Sequence, residues 1–400
     1  MKWISGLLFL AIAVAVALPG AVHLGLADLP EPLDADLAQP AAGAIPEPNA
    51  FDALTRAAGA LPSESELDAS VRAQLTAAPF DPEASEALLA AHPGVLEHFE
   101  AALSAPAFRM PEIEWDEDLP SVQGWFTAAR LHALGLRLEF ERRDDRDVGP
   151  AVRPLLELGQ AVQLDPSATW LHWIAGAELK EIGLRTLIAA TETWRPTAGV
   201  SHGWARTLSE FATRPDDLRN AWAGEYRALR AAILASDPGP AGHYSFHPNR
   251  TLALQAAHIR SLQARAGRLC AELEPENEPP ESPSPAILFL RGLRPNAVGE
   301  ILVEIARPSG NRFALRRCAA DTLLAATQVT IGLAAAQRES TELPERLSDL
   351  VPTFLPELPS GAFDGGELDL DRSGRRLLAR GSELPEATLL QQSPEFALPF

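Results

Sequence analysis

Three sets of side chains in this chain could do chemistry. His243 and His247 bracket the sequence His-Tyr-Ser-Phe-His, and His258 follows eleven residues after the second. Imidazoles four apart can share a metal when the backbone between them is helical. Here Pro238, Gly239, Pro240 and Gly242 come just before, so the segment reads as a loop and the spacing has no fixed geometry. A packed loop explains the same residues, with Tyr244 and Phe246 as apolar plugs and Asn249 capping the next helix. No metal is expected. The second set is acidic. Glu112, Glu114, Asp116, Glu117 and Asp118 surround Trp115, and Asp364, Glu367, Asp369 and Asp371 sit near the carboxyl end. Carboxylates on a turn can bind Ca²⁺, but no EF-hand spacing occurs. Arg372, Arg375, Arg376 and Arg380 can neutralise the second cluster as cross-strand pairs. The third set is aromatic. Seven of the eight tryptophans lie between Trp115 and Trp222, so any aromatic-lined groove belongs to that stretch. His172, Trp173, Glu178, His202, Trp204 and Arg206 are the candidate groove for a glycan or peptide. Packing between helices accounts for the same tryptophans.

The familiar catalytic signatures are missing from the sequence. It has no H-E-x-x-H, no G-x-S-x-G, no Walker A loop and no Rossmann glycine fingerprint. All but Lys2 and Lys180 of its 34 basic residues are Arg, and Lys180 has no S-x-x-K partner. No cofactor is expected. Fifty-four acids give a net charge of −20, which repels phosphate backbones and argues against nucleic acid as a partner. Cys270 and Cys318 are the only cysteines, too few for a disulfide-framework fold or a Cys-rich zinc site. In an oxidising compartment they could pair, closing a loop of roughly 50 residues worth about 4 kcal/mol. Otherwise they are two buried thiols. Both readings stand at this point.

The elements that must position these groups are mostly helices. Hydrophobic residues are 46% and charged residues 22% of 400, which is globular composition. Pro and capping residues punctuate helical text from Asn49 onward, with helices expected at 50–60, 62–78, 82–91, 93–105, 120–143, 150–163, 167–194, 200–213, 216–236 and 249–272. In the 120–143 stretch Phe126, Ala129, Ala133, Leu136 and Phe140 form one apolar stripe, with Arg130 and Arg137 off it. The run 273–285 is dense in Glu and Pro and reads as a flexible linker. A helix over 295–306 and a long Ala-rich helix over 311–338 follow. Ala320, Leu324, Thr327, Ile331 and Ala335 line one face of the long helix. Residues 366–371 and 375–380 alternate as a hairpin, with Asp371 facing Arg376, Leu370 facing Leu377 and Glu367 facing Arg380. The expected fold is mainly α: an irregular multi-helix array, or a solenoid, with a small carboxyl-terminal β-hairpin. Its segments are 28–48 as a Pro- and acid-rich tether, 49–272 as a helical domain, 286–382 as the long helix plus hairpin, and 383–400 as a weakly ordered tail.

The first 27 residues set the expected compartment. Trp3 to Leu18 are apolar apart from Ser5, and no charge lies between Lys2 and Asp28. Continued to Ala27, the segment is long enough to cross a hydrocarbon core of about 30 Å. It also fits a signal peptide cleaved after Ala27. Both readings place residues 28–400 in the periplasm or outside the cell.

The segment Leu343–Gly365 is similar to the carboxyl-terminal part of type II secretion pseudopilins. There a long helix leads into P-x-x-L-x-x-L, a proline-rich turn and a short sheet. Pro344, Leu347, Leu350, Pro352, Leu355, Pro359 and the Phe363-Asp364-Gly365 turn carry the likeness. Pseudopilins place their membrane helix directly before the globular part, behind a Gly cleavage site, and this chain does neither. The resemblance therefore implies local topology. The whole plan also resembles uncharacterised membrane-anchored envelope proteins of bacteria. The expectation is a membrane-tethered or secreted helical protein that works by binding envelope proteins. The alternatives are an accessory of a secretion or pilus-like system, and an envelope hydrolase without a recognised signature.

Overall fold

The structure, a computed structural model, describes residues 28–38, 44–62, 64–77, 79–111, 121–142, 147–236, 245–272, 294–306, 310–340, 342–379 and 395–398. The apolar segment 1–27, the acidic run 112–118 and the Glu/Pro linker lie outside these. Twelve α-helices occur among the described residues. They are α1 Ala50–Gly59, α2 Glu64–Thr76, α3 Pro82–Ala91, α4 Pro93–Ser104, α5 Val122–Glu141, α6 Gly149–Leu164, α7 Trp170–Ala190, α8 Ala198–Ser209, α9 Pro215–Ala235, α10 Pro248–Arg265, α11 Ala297–Ala306 and α12 Gly310–Glu339. The chain is mainly α with a small antiparallel sheet, as its sequence pattern implies.

Asn49 caps the first helix as expected, and three later helices also start on a side-chain cap. Asn49 accepts from Phe51 N, Asp81 from Ala84 N, Ser121 from Gly124 N and Thr197 from Val200 N. Asn49 does more than cap. Its Oδ1 accepts from Arg109 N at 3.0 Å and its Nδ2 donates to Arg109 O at 2.7 Å, so one side chain joins the start of α1 to the strand-like segment after α4.

The chain forms two compact units that cut across the segments expected from composition. The larger comprises 41–224, 265–274 and 311–400. One of its cores joins α1, α2, α4, α5, α6 and α7 around Leu54, Val71, Phe99, Trp125, Leu131, Leu155 and Leu179. A second surrounds α12 and the carboxyl-terminal segment through Val329, Leu333, Leu350, Leu355, Phe363 and Leu377. The span Phe313–Glu339 is long and apolar enough to cross a membrane, yet 83% of its most apolar 18-residue window is buried inside the protein. Leu324, Thr327, Ile331 and Ala335 are buried as the apolar stripe implies, but so are Thr322, Leu323 and Ala325. A helix surrounded on all sides needs no polar face.

Helices α6 and α7 approach each other closely. A Cβ on Gly176 would lie 2.4 Å from Gly159 O, and one on Gly159 would lie 2.6 Å from Gly176 O. Only glycine lets these backbones meet. A disulfide joins Cys270 and Cys318, 48 residues apart in sequence.

The hairpin has the expected register: Asp371 pairs with Arg376 and Leu370 with Leu377. Asp371 also accepts from Ser373 Oγ and Gly374 N, closing the turn between β1 Asp369–Asp371 and β2 Arg376–Leu378. Glu367 forms a bridge with Ser360, and its expected partner Arg380 lies outside the described residues. The tail contributes a third strand, β3 Glu395–Ala397, in which Phe396 pairs with Leu377. Leu398 just beyond it is buried, and this apolar burial orders a segment whose composition reads as loose.

The smaller unit comprises residues 28–38 of the amino-terminal part, 225–264 and the described residues among 275–310. Here the free tether expected after Ala27 is corrected over its first part. Leu37 and Asp34 are buried, at 1% and 6% exposure. Tyr226 donates its hydroxyl to Asp34 at 2.5 Å, and Arg230 pairs with Asp34 and Glu31. Arg260 grips Asp36 with two nitrogens and also donates to Leu33 O. Acids that composition marks as solvated have found guanidiniums, a phenol and a helix end.

Candidate functional site

The side chains of the six candidate groove residues, Arg206 apart, have separate partners. His172 is buried, and its Nδ1 accepts from the backbone N–H of Thr169 at 3.3 Å, completing the start of α7. Burial pushes its pKa down to about 4, against the pull of the Asp165 carboxylate. Trp173 is fully buried and meets the edge of Phe313, which also meets Trp222. Trp204 lies in a different core, stacked so closely over Gly149 that a Cβ there would come within 1.6 Å of its ring. His202 Nε2 contacts Pro352 O, and neighbouring Ser201 donates to Phe354 O at 2.8 Å. Both residues fasten α8 to the turn after Leu350. Arg206 is exposed. Among the described residues no hydrogen bond, ion pair or ring contact joins any two of these six.

Glu178 is the exception in kind. It is the centre of a chain of charges within the larger unit. Asp68 on α2 binds Arg72 and Arg130, each at 2.6 Å. Arg130 on α5 then binds Glu178 Oε1 at 2.5 Å, and Arg316 on α12 binds Glu178 Oε2 at 2.5 Å. Arg316 continues to Glu181 at 2.9 Å, and Glu181 accepts from Arg185 at 2.8 Å. The side chains of Arg130, Asp68, Arg316 and Glu181 are each under 15% exposed. For Asp68, burial opposes ionisation, but Arg72 and Arg130 outweigh it and hold the carboxyl below its ordinary value. Glu181 is lowered in the same way: burial opposes, and Arg316 and Arg185 prevail. Both oxygens of Glu178 are engaged by guanidiniums, so it is poorly placed to take a proton from a substrate. The arrangement ties four helices together rather than presenting an acid–base pair.

Arg130 lies off the apolar stripe of α5, and that side of the helix is covered too. Arg130 is 5% exposed and Arg137 9%. The spacing of Glu178, Glu181 and Arg185 on one face of α7 was the available signal; their partners on α2, α5 and α12 left none.

Lys180 occupies a second polar site in the larger unit. Its ammonium donates to Phe211 O just beyond α8 at 2.9 Å and to Gln160 Oε1 at 3.1 Å. Burial lowers its pKa to about 8, while the carboxylates of Asp321 and Asp217 oppose the fall. Asp321 itself is raised by burial, against hydrogen bonding from Thr213 and the charges of Arg317 and Lys180. A lysine of depressed pKa is a nucleophile in principle. This one is 6% exposed and held by two acceptors, one of them a backbone carbonyl near a helix end, where a cation is stabilising.

In the smaller unit His247 stands before α10, with Thr251 and Gln255 following at four-residue intervals on one face. Asn296, in the left-handed region at φ 63°, accepts from His247 N at 2.7 Å and from Thr251 Oγ1 at 3.0 Å. Both ring nitrogens of His247, both amide atoms of Gln255 and Nδ2 of Asn296 are buried without a hydrogen-bond partner. This polar set suits ordered water or a small polar molecule. His243 lies outside the described residues. Among those described, no group of three or more His, Cys, Asp or Glu side chains is placed to hold a metal.

Comparison of the chain with protein families, with curated proteins and with solved structures returns no match.

Proposed function

We propose that this protein is a membrane-tethered component of the cell envelope whose helical body acts by binding other envelope proteins. The observation that carries the reading is the Cys270–Cys318 disulfide. Disulfides persist in oxidising compartments and are rare where thioredoxin and glutathione keep thiols reduced. It accords with an apolar amino-terminal segment that delivers residues 28–400 across a membrane. A binding role fits the groups that could do acid–base chemistry, since Glu178, Lys180 and His172 are each engaged within the protein's own framework.

The test is protease added to spheroplasts of a bacterium expressing the full chain. Digestion of the helical body with the inner membrane intact is the expected result. Full protection until the membrane is lysed would overturn the location. Crosslinking in the same cells tests the mode of action: adducts with envelope proteins are expected, and their absence across crosslinkers would contradict binding. A second reading, an accessory of a secretion system, draws on the order of long helix, short 3₁₀ turn at Leu347–Leu350 and small sheet.

A further inference from the structure

We infer that the end of the smaller unit carrying the first turns of α10 and α11 rests on the lipid bilayer, with Val298, Ile301 and Leu302 entering its interface. The inference deepens the proposed function and rests on its reading that the segment before Asp28 lies in a membrane. The docked strap leads to it. A free tether would let the folded part stand off from the bilayer. Instead the chain is held from the first described residue. Asp28 accepts from Asn249 N at 2.8 Å and from Arg250 N at 3.1 Å, and Asn249 Nδ2 donates to Leu29 O. A carboxylate at the exposed N–H groups that open a helix is in a favourable place. The described chain therefore begins at the opening of α10, directly after the apolar segment in sequence.

The first turn of α11 lies at the same end. Val298 N donates to Ser245 O at 2.8 Å, and Asn296 accepts from His247 N. The backbone from Ser245 to Arg250 thus touches α11 at one side and Asp28 at the other. From that point α11 presents Val298, Ile301 and Leu302 at spacings of three and four, on one face, 43%, 42% and 40% exposed. Buried Val303 marks the covered side. Arg250 and Arg294 are exposed nearby, as is Glu304 on α11 itself, and guanidiniums bind phosphate headgroups. An apolar helix face flanked by arginine is the composition of an interfacial element.

The experiment uses the full chain, oxidised at its native cysteines, with one added thiol carrying nitrobenzoxadiazole. Vesicles of phosphatidylethanolamine and phosphatidylglycerol contain a lipid with a nitroxide on its acyl chain. Ile301→Cys reports on the proposed contact. Ala15→Cys reports on the apolar segment. Ala264→Cys, exposed near the other end of α10 about 21 Å along that helix from Arg250, gives the baseline. The label at 301 is expected to be quenched about twofold more strongly than that at 264, with 15 quenched too. Equal quenching at 301 and 264, with 15 quenched, overturns the inference and leaves the tether standing. A label at 301 that is shielded from water yet unquenched by lipid assigns the face to a second copy or another segment and also overturns it. An unquenched label at 15 removes the membrane reading and the inference with it.

Discussion

The α6–α7 crossing gives a prediction whose size follows from distances. In Gly176→Ala the new methyl would sit 2.4 Å from Gly159 O, 2.5 Å from Gln163 Cγ and 3.0 Å from Gln163 N. Carbon and carbonyl oxygen ordinarily approach to about 3.3 Å. Two of the three obstacles are backbone, so the helices must part by about 1 Å. Such a gap forfeits a quarter to a half of the dispersion energy of the contacts it opens. Those contacts involve Leu155, Leu158 and Val162 on α6 with Leu179 and Ile182 on α7, all buried. Overpacking costs about 1–3 kcal/mol in general, and the backbone clash places this case at or above the top. Replacing a mid-helix glycine by alanine returns about 1 kcal/mol. The net expected loss is about 2 kcal/mol, or about 3–4 °C in Tm for a unit of this size. Gly203→Ala on α8 supplies the contrast. Nothing lies within 4 Å of its added methyl, so only the helix gain remains, about 0.5–1 kcal/mol in the stabilising direction. Thermal and urea melts followed by circular dichroism decide it. A Gly176→Ala protein as stable as the parent, or a Gly203→Ala loss of equal size, would refute the close-approach argument.

Three further outcomes follow. Cys270→Ser with Cys318→Ser opens a loop closed by residues 48 apart and is expected to lose about 4 kcal/mol in a urea titration, with no loss if the thiols are unpaired to begin with. Acidification from pH 7 to 5 is expected to lower stability, because burial holds His132 and His172 at about 4 when folded. The unfolded chain takes up those protons first, from about 6.5 downward, so stability falls as pH drops through that window, by up to about 2 kcal/mol per ring at pH 5. A urea midpoint flat between pH 7 and 5 would contradict the burial of these rings. Tyr226→Phe removes the hydroxyl that Asp34 accepts, which is expected to loosen the strap by about 1–2 kcal/mol. Hydrogen exchange at Leu37 N and Ala38 N, both bonded to Asp34 O, reads this directly, and unchanged protection there would count against the docking.

Much of the fold was legible because its signals are local. Asn49 declares the first helix start by its own side chain, and the alternation around Ser373-Gly374 sets the register of the hairpin. What escaped depends on partners distant in sequence. The strap reads as tether because nothing near Asp34 and Asp36 announces Tyr226, Arg230 and Arg260. The third strand reads as tail because its three residues gain order only from Leu377 and its neighbours. The apolar stripes of α5 and α12 identify one buried face correctly and cannot report that the other faces are covered too. The candidate groove rested on tryptophans and polar residues sharing one stretch of chain. Helical periodicity says which way a side chain points, not what it meets, and Trp173 and Trp204 went to different cores.

The most direct test of the account is the oxidation state of the two cysteines in living cells. The full chain is expressed in a bacterium, thiols are trapped by acid, and the unfolded protein is treated with a maleimide of high mass. No gel shift is expected without reductant, and two additions after reduction. Two additions without reductant would place the protein in a reducing compartment and contradict the proposed location.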